Sequence, residues 1–101
     1  INEVIGLRYD DLAKIPLIVV EIRDYLSKLQ GIDQSNPPIV YFKSFSASSC
    51  DFFIYAFTNT KDWREFLMIK EQVLFKVSDI INKHKAAIAF PTTTIEWDNK
   101  N

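Results

Sequence analysis

The chain has 101 residues, of which 48% are hydrophobic and 14% aromatic, and 12 basic and 13 acidic side chains leave a formal net charge of −1. That length suits one domain with one core, and the apolar fraction excludes a disordered chain. The balanced charge includes no basic run, so a nucleic-acid-binding surface is a poor candidate.

The chain has no signal peptide and no apolar run long enough to cross a bilayer. It begins with Ile1 instead of methionine, and strand-forming residues follow almost at once. We therefore expect a fragment or a processed piece of a longer protein, and the lack of a membrane span here says nothing about that parent.

The first third of the chain predicts a strand followed by a helix. Residues 4–9 alternate weakly between apolar and polar, and Asp10 and Asp11 are expected to cap the helix that follows. Pro16 suits the first helical turn, and Gly31 is a natural stop. The apolar side chains between them recur at helical spacing on one arc, namely Ile15, Ile18, Val19, Ile22, Tyr25, Leu26 and Leu29.

The middle of the chain predicts an antiparallel hairpin of two apolar strands. Residues 39–46 form the first strand, with Tyr41, Lys43 and Phe45 on one face, and a turn of small residues leads into residues 51–58. Along this second strand the side chains alternate, with Phe52, Ile54 and Ala56 on one side and Phe53, Tyr55 and Phe57 on the other. Both faces are apolar, so the strand belongs in the centre of a sheet that is covered on both sides.

The longest predicted element is a helix from Trp63 to about Lys83, with Asp62 and Glu65 at the spacing of a capping box. Its core-facing arc consists of Phe66, Leu67, Ile69, Val73, Leu74, Val77, Ile80 and Ile81.

The end of the chain predicts two separate strands. Residues 86–90 form a short apolar strand, which Pro91 interrupts. Strand-forming residues recur beyond it, namely Thr92, Thr93, Thr94, Ile95, Glu96 and Trp97. We therefore divide the chain into a domain of residues 1–91 and a C-terminal strand and tail of residues 92–101.

The order of these elements predicts an α+β fold. It is a ferredoxin-like βαββαβ antiparallel sheet with both helices on one face, plus a C-terminal strand that leaves the domain. The other face of the sheet carries Phe53, Tyr55 and Phe57, and we predict that these rings pack against another domain or subunit. Burying one phenylalanine contributes roughly 1.5–3 kcal/mol, so three rings strongly favour association.

A second contact surface is predicted on the helices. Met68 and Phe75 project from the long helix on the side opposite its arc, and Leu17 and Val20 fall outside the arc of the first helix. A subunit that contacts its neighbours through two different surfaces forms a ring or a filament.

The sequence predicts no catalytic, cofactor-binding or metal-binding residues, and therefore no enzyme. Cys50 and His84 are the only thiol and imidazole, and no third group accompanies them. A zinc site needs about four ligands, and no cluster of histidine and cysteine exists. The single cysteine excludes a disulfide framework and fits a reducing compartment. Neither Gly6 nor Gly31 belongs to a phosphate-binding loop.

Two ferredoxin-like binding modules remain as alternatives. An RNA-recognition module stacks bases on exposed aromatic residues of its sheet, but here only Lys43 provides a nearby positive charge. A small-ligand regulatory domain would need a polar, glycine-containing turn at the helix starts, and none is evident.

The sequence resembles, over nearly its whole length, the C-terminal cytoplasmic domain of the small-conductance mechanosensitive (MscS-type) channel family. The resemblance is carried by Ile5-Gly6-Leu7-Arg8-Tyr9-Asp10, Gly31-Ile32-Asp33 with Pro37-Pro38, Ser48-Ser49-x-Asp51, Thr60-x-Asp62-Trp63, and Ala89-Phe90-Pro91 with Thr94. The chain departs from relatives at Ser44-Phe45-Ser46-Ala47, where a Gly-Phe-Gly-Asp type of sequence is usual, and at Cys50, where an aliphatic residue is common.

The resemblance implies a channel that opens under bilayer tension and releases small solutes during osmotic downshock. Family members are homoheptamers in the cell (inner) membrane, and this domain would form the lower part of their cytoplasmic vestibule. Residues 92–97 would add one strand per subunit to a small parallel barrel, and closing that barrel would remove an exposed strand edge.

Overall fold

The structure is a computed structural model that describes residues 1–89, and it contains a three-stranded antiparallel sheet with two helices packed on one face. Its elements are β1 (Asn2–Leu7), a 3-10 helix (Tyr9–Lys14), α1 (Ile15–Lys28), β2 (Ile39–Phe45), β3 (Cys50–Tyr55) and α2 (Trp63–Lys83). The strand order is β1-β3-β2, so the aromatic strand is central, and the predicted α+β class is confirmed. The predicted barrel strand at residues 92–97 lies outside the described residues.

The core lies between the sheet and the helices. Phe52 and Ile54 of β3 are completely buried, and Ala56 just beyond the strand is buried as well. On α1 the predicted arc faces the core, since Ile15, Ile18, Val19, Ile22 and Leu26 are buried and the other two members, Tyr25 and Leu29, pack against the core partly buried. Gly31, with φ of +106°, turns the chain after α1 in a conformation that favours glycine.

The predicted arc of α2 is only partly correct. Val73, Val77, Ile80 and Ile81 are buried, whereas Leu67 is 43% exposed. The helix has 21 residues and α1 has 14, so α2 is about 10 Å longer at 1.5 Å per residue. The fully buried side chains of α2 begin at Val73, and Ile69 before it is partly buried and packs against the core.

The fourth strand of the predicted sheet is reduced, within the described residues, to one bridge between Leu7 and Ile88. The Arg8 N–H donates to the Ala87 carbonyl at 3.2 Å, and the Ala89 N–H donates to the Gly6 carbonyl at 2.9 Å. This segment lies beside β1 on the edge away from β3, which is the place that the ferredoxin-like order predicts.

The predicted cap of α1 is wrong. Asp10 and Asp11 belong to the 3-10 helix, and α1 begins after Lys14 with no side-chain cap. Asp11 is instead buried, where it accepts hydrogen bonds from the Ala87 N–H at 2.9 Å and from Lys14 at 3.0 Å. The carboxylate faces inwards because a nearby donor, Lys14, and a distant one, the Ala87 N–H, converge on it.

The predicted capping box of α2 is half correct. Asp62 Oδ1 accepts a hydrogen bond from the Arg64 N–H at 3.0 Å, so Asp62 is the N-cap. The Asp62 N–H donates to Thr60 Oγ1 at 3.0 Å, in place of the predicted Glu65 carboxylate.

We expect Asp62→Ala to lower the free energy of unfolding by about 1 kcal/mol, because an amide of the first turn loses its acceptor. Urea titration followed by circular dichroism measures this change. Glu65→Ala is the matched control, since it removes a carboxylate from the same turn without removing the cap. Equal losses in the two variants would contradict the assignment of the cap to Asp62.

Candidate assembly surfaces

The side of the sheet away from the helices carries an uncovered aromatic surface. Tyr55 and Phe57 are 39% and 47% exposed, and Phe53 is half-buried. The strand register places Val4 and Tyr41 on either side of Phe53, and it places Ile39 beside Tyr55. We call this surface the outer sheet face and define it by Val4, Ile39, Tyr41, Phe53, Tyr55 and Phe57.

The rings of the outer sheet face are held in place by neighbours. Tyr55 and Phe57 meet edge to face, with ring centres 5.3 Å apart. The Arg23 guanidinium lies 4.6 Å from the centre of the Tyr41 ring and also donates to the Val40 carbonyl. Arg23 belongs to α1, so its side chain links the helix layer to β2 at the edge of the sheet. This arrangement presents a preformed aromatic surface.

A bulge in β2 changes which face Phe45 occupies. Phe42 pairs with Phe52 and Ser44 pairs with Asp51, which leaves Lys43 as the extra residue. One extra residue reverses the alternation of side chains beyond it. Phe45 therefore lies opposite Cys50, on the helix side, and the prediction that it shares a face with Tyr41 is wrong.

The bulge creates a second apolar surface between α1 and β2. Phe42 and Phe45 contact each other edge to face at 5.0 Å, and Tyr9 stacks on Phe45 at 6.4 Å. Phe45 is nevertheless 63% exposed, because the helices among residues 1–89 leave much of its ring uncovered. We call the adjoining concavity of about 430 Å³ the α1–β2 groove, and its lining is Leu12, Ile15, Pro16, Val19, Phe42 and Phe45. Sequence reasoning missed it because an alternation pattern does not reveal a bulge.

A third apolar surface lies on α2. Met68 and Phe75 are 63% and 65% exposed, as their positions on the helix predicted. We call this surface, formed by Leu67, Met68, Leu74 and Phe75, the α2 ridge. A shallow hollow of about 340 Å³ lies along it, lined by Leu67, Lys70, Glu71, Leu74 and Phe75. Leu17 and Val20 of α1 are also exposed, but they do not line this hollow.

The thiol and the imidazole have separate environments. Cys50 is buried in the core, where burial and then the Asp51 carboxylate raise the pKa of its thiol. His84 Nε2 contacts Glu21 Oε1 at 2.9 Å, and Lys83 contacts the other oxygen of the same carboxylate at 2.9 Å. Hydrogen bonds from Lys83 and then from His84 lower the pKa of Glu21. These contacts join α1 to the end of α2.

Residues 1–89 contain neither a candidate membrane span nor a candidate metal site. None of their helices is long and apolar enough to span a membrane. No group of three or more histidine, cysteine, aspartate or glutamate side chains in that range is placed to hold a metal ion.

Comparison with known proteins shows similarity over most of the chain. The family described as "Mechanosensitive ion channel MscS, C-terminal" matches residues 1–88. Over 99 residues the chain is 41% identical to the low conductance mechanosensitive channel YnaI of Escherichia coli K12, covering 98% of this chain. It is also 32% identical over 78 residues to an uncharacterized MscS family protein of Aquifex aeolicus, covering 77% of this chain and 21% of the relative.

Solved structures show the same domain fold. The cryo-EM structure of Arabidopsis thaliana MSL1 A320V matches with a TM-score of 0.80 at 25% identity, covering 90% of this chain and 35% of that chain. The cryo-EM structure of Arabidopsis thaliana MSL1 matches with the same TM-score and covers 33% of that chain. The present chain spans only 29% of the length of YnaI, so these comparisons concern one part of a longer relative.

Proposed function

Because the chain belongs to the MscS family of mechanosensitive ion channels, whose C-terminal domain it matches, we propose that it is a non-enzymatic assembly domain of a tension-gated channel. Such a channel releases small solutes on osmotic downshock. The observation that supports an assembly role is the outer sheet face, where Tyr41, Tyr55 and Phe57 lie exposed together. Contiguous apolar surface of this kind marks an interaction site in a soluble domain.

The proposed parent is a homo-oligomeric, multi-pass membrane protein with seven subunits. In it the domain lies on the cytoplasmic side of the cell membrane and forms part of the wall of a vestibule. Residues 1–91 form the vestibule domain in this proposal, and residues 92–97 contribute a strand to a barrel on the symmetry axis. The outer sheet face packs against the preceding domain of the parent or against a neighbouring subunit.

The energetics of the outer sheet face favour such packing. Complete burial of a large apolar side chain contributes roughly 1.5–3 kcal/mol, and these side chains are already about half covered. Completing the burial of six of them adds on the order of 5 kcal/mol. Since about 1.4 kcal/mol changes an equilibrium constant tenfold, this contribution is large enough to decide whether subunits associate.

We expect Tyr55→Ser combined with Phe57→Ser to convert the full-length parent from a seven-subunit particle into smaller species. Both side chains are partly exposed, so the fold should persist while the apolar contact is lost. Native mass spectrometry in detergent measures the subunit number. Trp63→Ser is the matched control, because Trp63 is an exposed aromatic residue outside the outer sheet face.

Two results of the mass measurement would contradict these proposals. A double variant that keeps the mass of the unmodified parent would contradict the role of the outer sheet face. A parent that is a monomer before any substitution would overturn the assembly function itself.

Base stacking on the outer sheet face is not proposed as a second function. Tyr41 is covered on one side by Arg23, and the charge at the end of the central strand is the carboxylate of Asp51. A site for single-stranded RNA needs several cationic side chains along the face, because binding is driven by the release of counterions from the RNA phosphates. A filter-binding assay with single-stranded RNA at low salt should accordingly detect no complex.

A further inference from the structure

We propose that Arg23 closes the β2 edge of the sheet and thereby prevents copies of this chain from pairing strand to strand. β2 is an outer strand of the three-stranded sheet, and an outer strand presents backbone N–H and C=O groups to which another chain can add a strand. The partner that an open edge would take here is β2 of a second copy, because two identical edges in a two-fold antiparallel arrangement offer each other the same groups. The proposal is independent of the assembly function, since it concerns a contact that the fold avoids.

The strand pairing shows which backbone groups of β2 face outwards. The Ile1 amino group donates to the Ala56 carbonyl at 2.6 Å, and the Ala56 N–H donates to the Ile1 carbonyl at 2.9 Å, so the backbone groups of Ala56 face β1. Alternate residues of a strand direct their backbone groups to the same neighbour, so those of Ile54 also face β1. Val40 pairs with Ile54, and its own N–H and C=O therefore face away from β3. The same holds for Phe42, two residues along the strand.

Arg23 occupies this outward-facing edge. Its guanidinium donates to the Val40 carbonyl and lies 4.6 Å from the centre of the Tyr41 ring. Tyr41 belongs to the outer sheet face, whereas Arg23 belongs to α1 on the other face, so the side chain of Arg23 passes around the edge of β2. Arg23 Nε is buried, which shows that the side chain packs closely there. A new strand would have to displace this side chain before it could bond to Val40.

The two ends of the same edge are closed by other means. Pro38 is the preceding outward position in the alternation, and proline has no N–H to donate. After Phe42, the bulge at Lys43 interrupts the regular pairing of β2. Proline and bulges are both features by which proteins protect an exposed strand edge. Removing Arg23 would leave Val40 and Phe42 as two successive outward positions, at which a second copy can begin to pair.

Arg23→Met in the 101-residue chain tests the proposal, because methionine keeps an unbranched, helix-favouring side chain and removes the donors. We expect the mass measured by sedimentation to rise at least about twofold over that of the unmodified chain, since pairing of two edges gives a dimer. Arg64→Met is the matched control, because Arg64 is exposed on α2 and its substitution makes the same change of charge. Arg23→Lys should restore the mass of the unmodified chain, because it keeps a cation with N–H donors at the edge.

Hydrogen exchange locates the association. In the Arg23→Met variant the amides of Val40 and Phe42 should exchange more slowly than in the unmodified chain, because they become bonded to a second copy. Association without this protection would overturn the proposal, since the contact would then lie on another surface. An Arg23→Met variant that keeps the mass of the unmodified chain would overturn it too, as would an equal gain of mass in the Arg64→Met control.

Far-UV circular dichroism shows whether the variant is folded. If Arg23→Met is unfolded, Arg23→Gln takes its place with the same outcomes, because glutamine also lacks the guanidinium and keeps a polar side chain. Unfolding of both variants would show that Arg23 is needed for the fold itself, and it would overturn the proposed role at the edge.

Discussion

Replacing Phe52 with alanine is expected to lower the free energy of unfolding of this chain by about 4 kcal/mol. Phe52 is completely buried at the centre of the sheet, between Ile5 on β1 and Phe42 on β2. Removing its ring loses apolar burial and leaves a cavity that the surrounding strands cannot fill. A small domain has a total stability of about 5–15 kcal/mol, so this loss removes between about a quarter and four fifths of it.

The matched control for Phe52→Ala is Phe53→Ala, the same substitution one residue along the same strand. Phe53 belongs to the outer sheet face and is half-buried, so we expect a loss of only about 1 kcal/mol. Urea titration of the two variants measures the difference. Equal losses of unfolding free energy in the two variants would mean that the outer sheet face is as well covered as the face that packs against the helices. That result would remove the physical argument for an assembly surface.

The difference in burial between Phe52 and Phe53 could be predicted from the sequence, because the alternation of side chains along a strand is a local property of the backbone. The sequence also predicted the buried arc of α1, since helical periodicity depends only on spacing. Neither prediction required knowledge of which elements pack together. The exposure of Phe57 and of Phe75 follows from the same two periodicities.

Features that depend on contacts between distant residues could not be predicted. The bulge at Lys43 depends on how β2 pairs with β3, and no glycine or proline at that position indicated it. The α1–β2 groove was missed for the same reason. Asp11 was predicted as a helix cap, because nothing local indicates that Ala87, 76 residues away, supplies its hydrogen-bond donor.

The environment of Asp11 gives that residue a large expected effect on stability. Its carboxylate is buried and accepts hydrogen bonds from the Ala87 N–H and from Lys14, and Arg8 Nε lies 3.6 Å away. Lys14 also donates to the Lys85 carbonyl at 2.8 Å. Together these contacts join the 3-10 helix to the segment that follows α2. The buried charge of Asp11 therefore helps to hold residues 85–89 beside β1, together with the backbone hydrogen bonds that Arg8 and Ala89 donate.

We expect Asp11→Asn to lower the free energy of unfolding by about 2 kcal/mol at pH 7, because hydrogen bonds to a charged acceptor are lost while the shape is kept. Burial raises the pKa of Asp11, but the Ala87 N–H, Lys14 and Arg8 together outweigh burial, and the net pKa lies below its usual value. A lowered pKa means that the folded state binds the proton less readily than the unfolded chain does. The stabilisation is therefore complete above the unfolded pKa of about 3.9 and is lost as the pH falls through the folded value.

The pH dependence distinguishes the charge of Asp11 from its shape. In urea titrations from pH 7 down to about pH 2, the stability difference between the unmodified chain and Asp11→Asn should shrink as the carboxyl group becomes protonated. Asp10→Asn is the control, because Asp10 is the adjacent carboxylate, is exposed and takes part in none of the ion pairs among residues 1–89. It should change stability little at any pH. The difference in free energy of unfolding between the unmodified chain and Asp11→Asn could instead stay constant down to about pH 2. That result would show that the packing of Asp11, and not its charge, stabilises the fold.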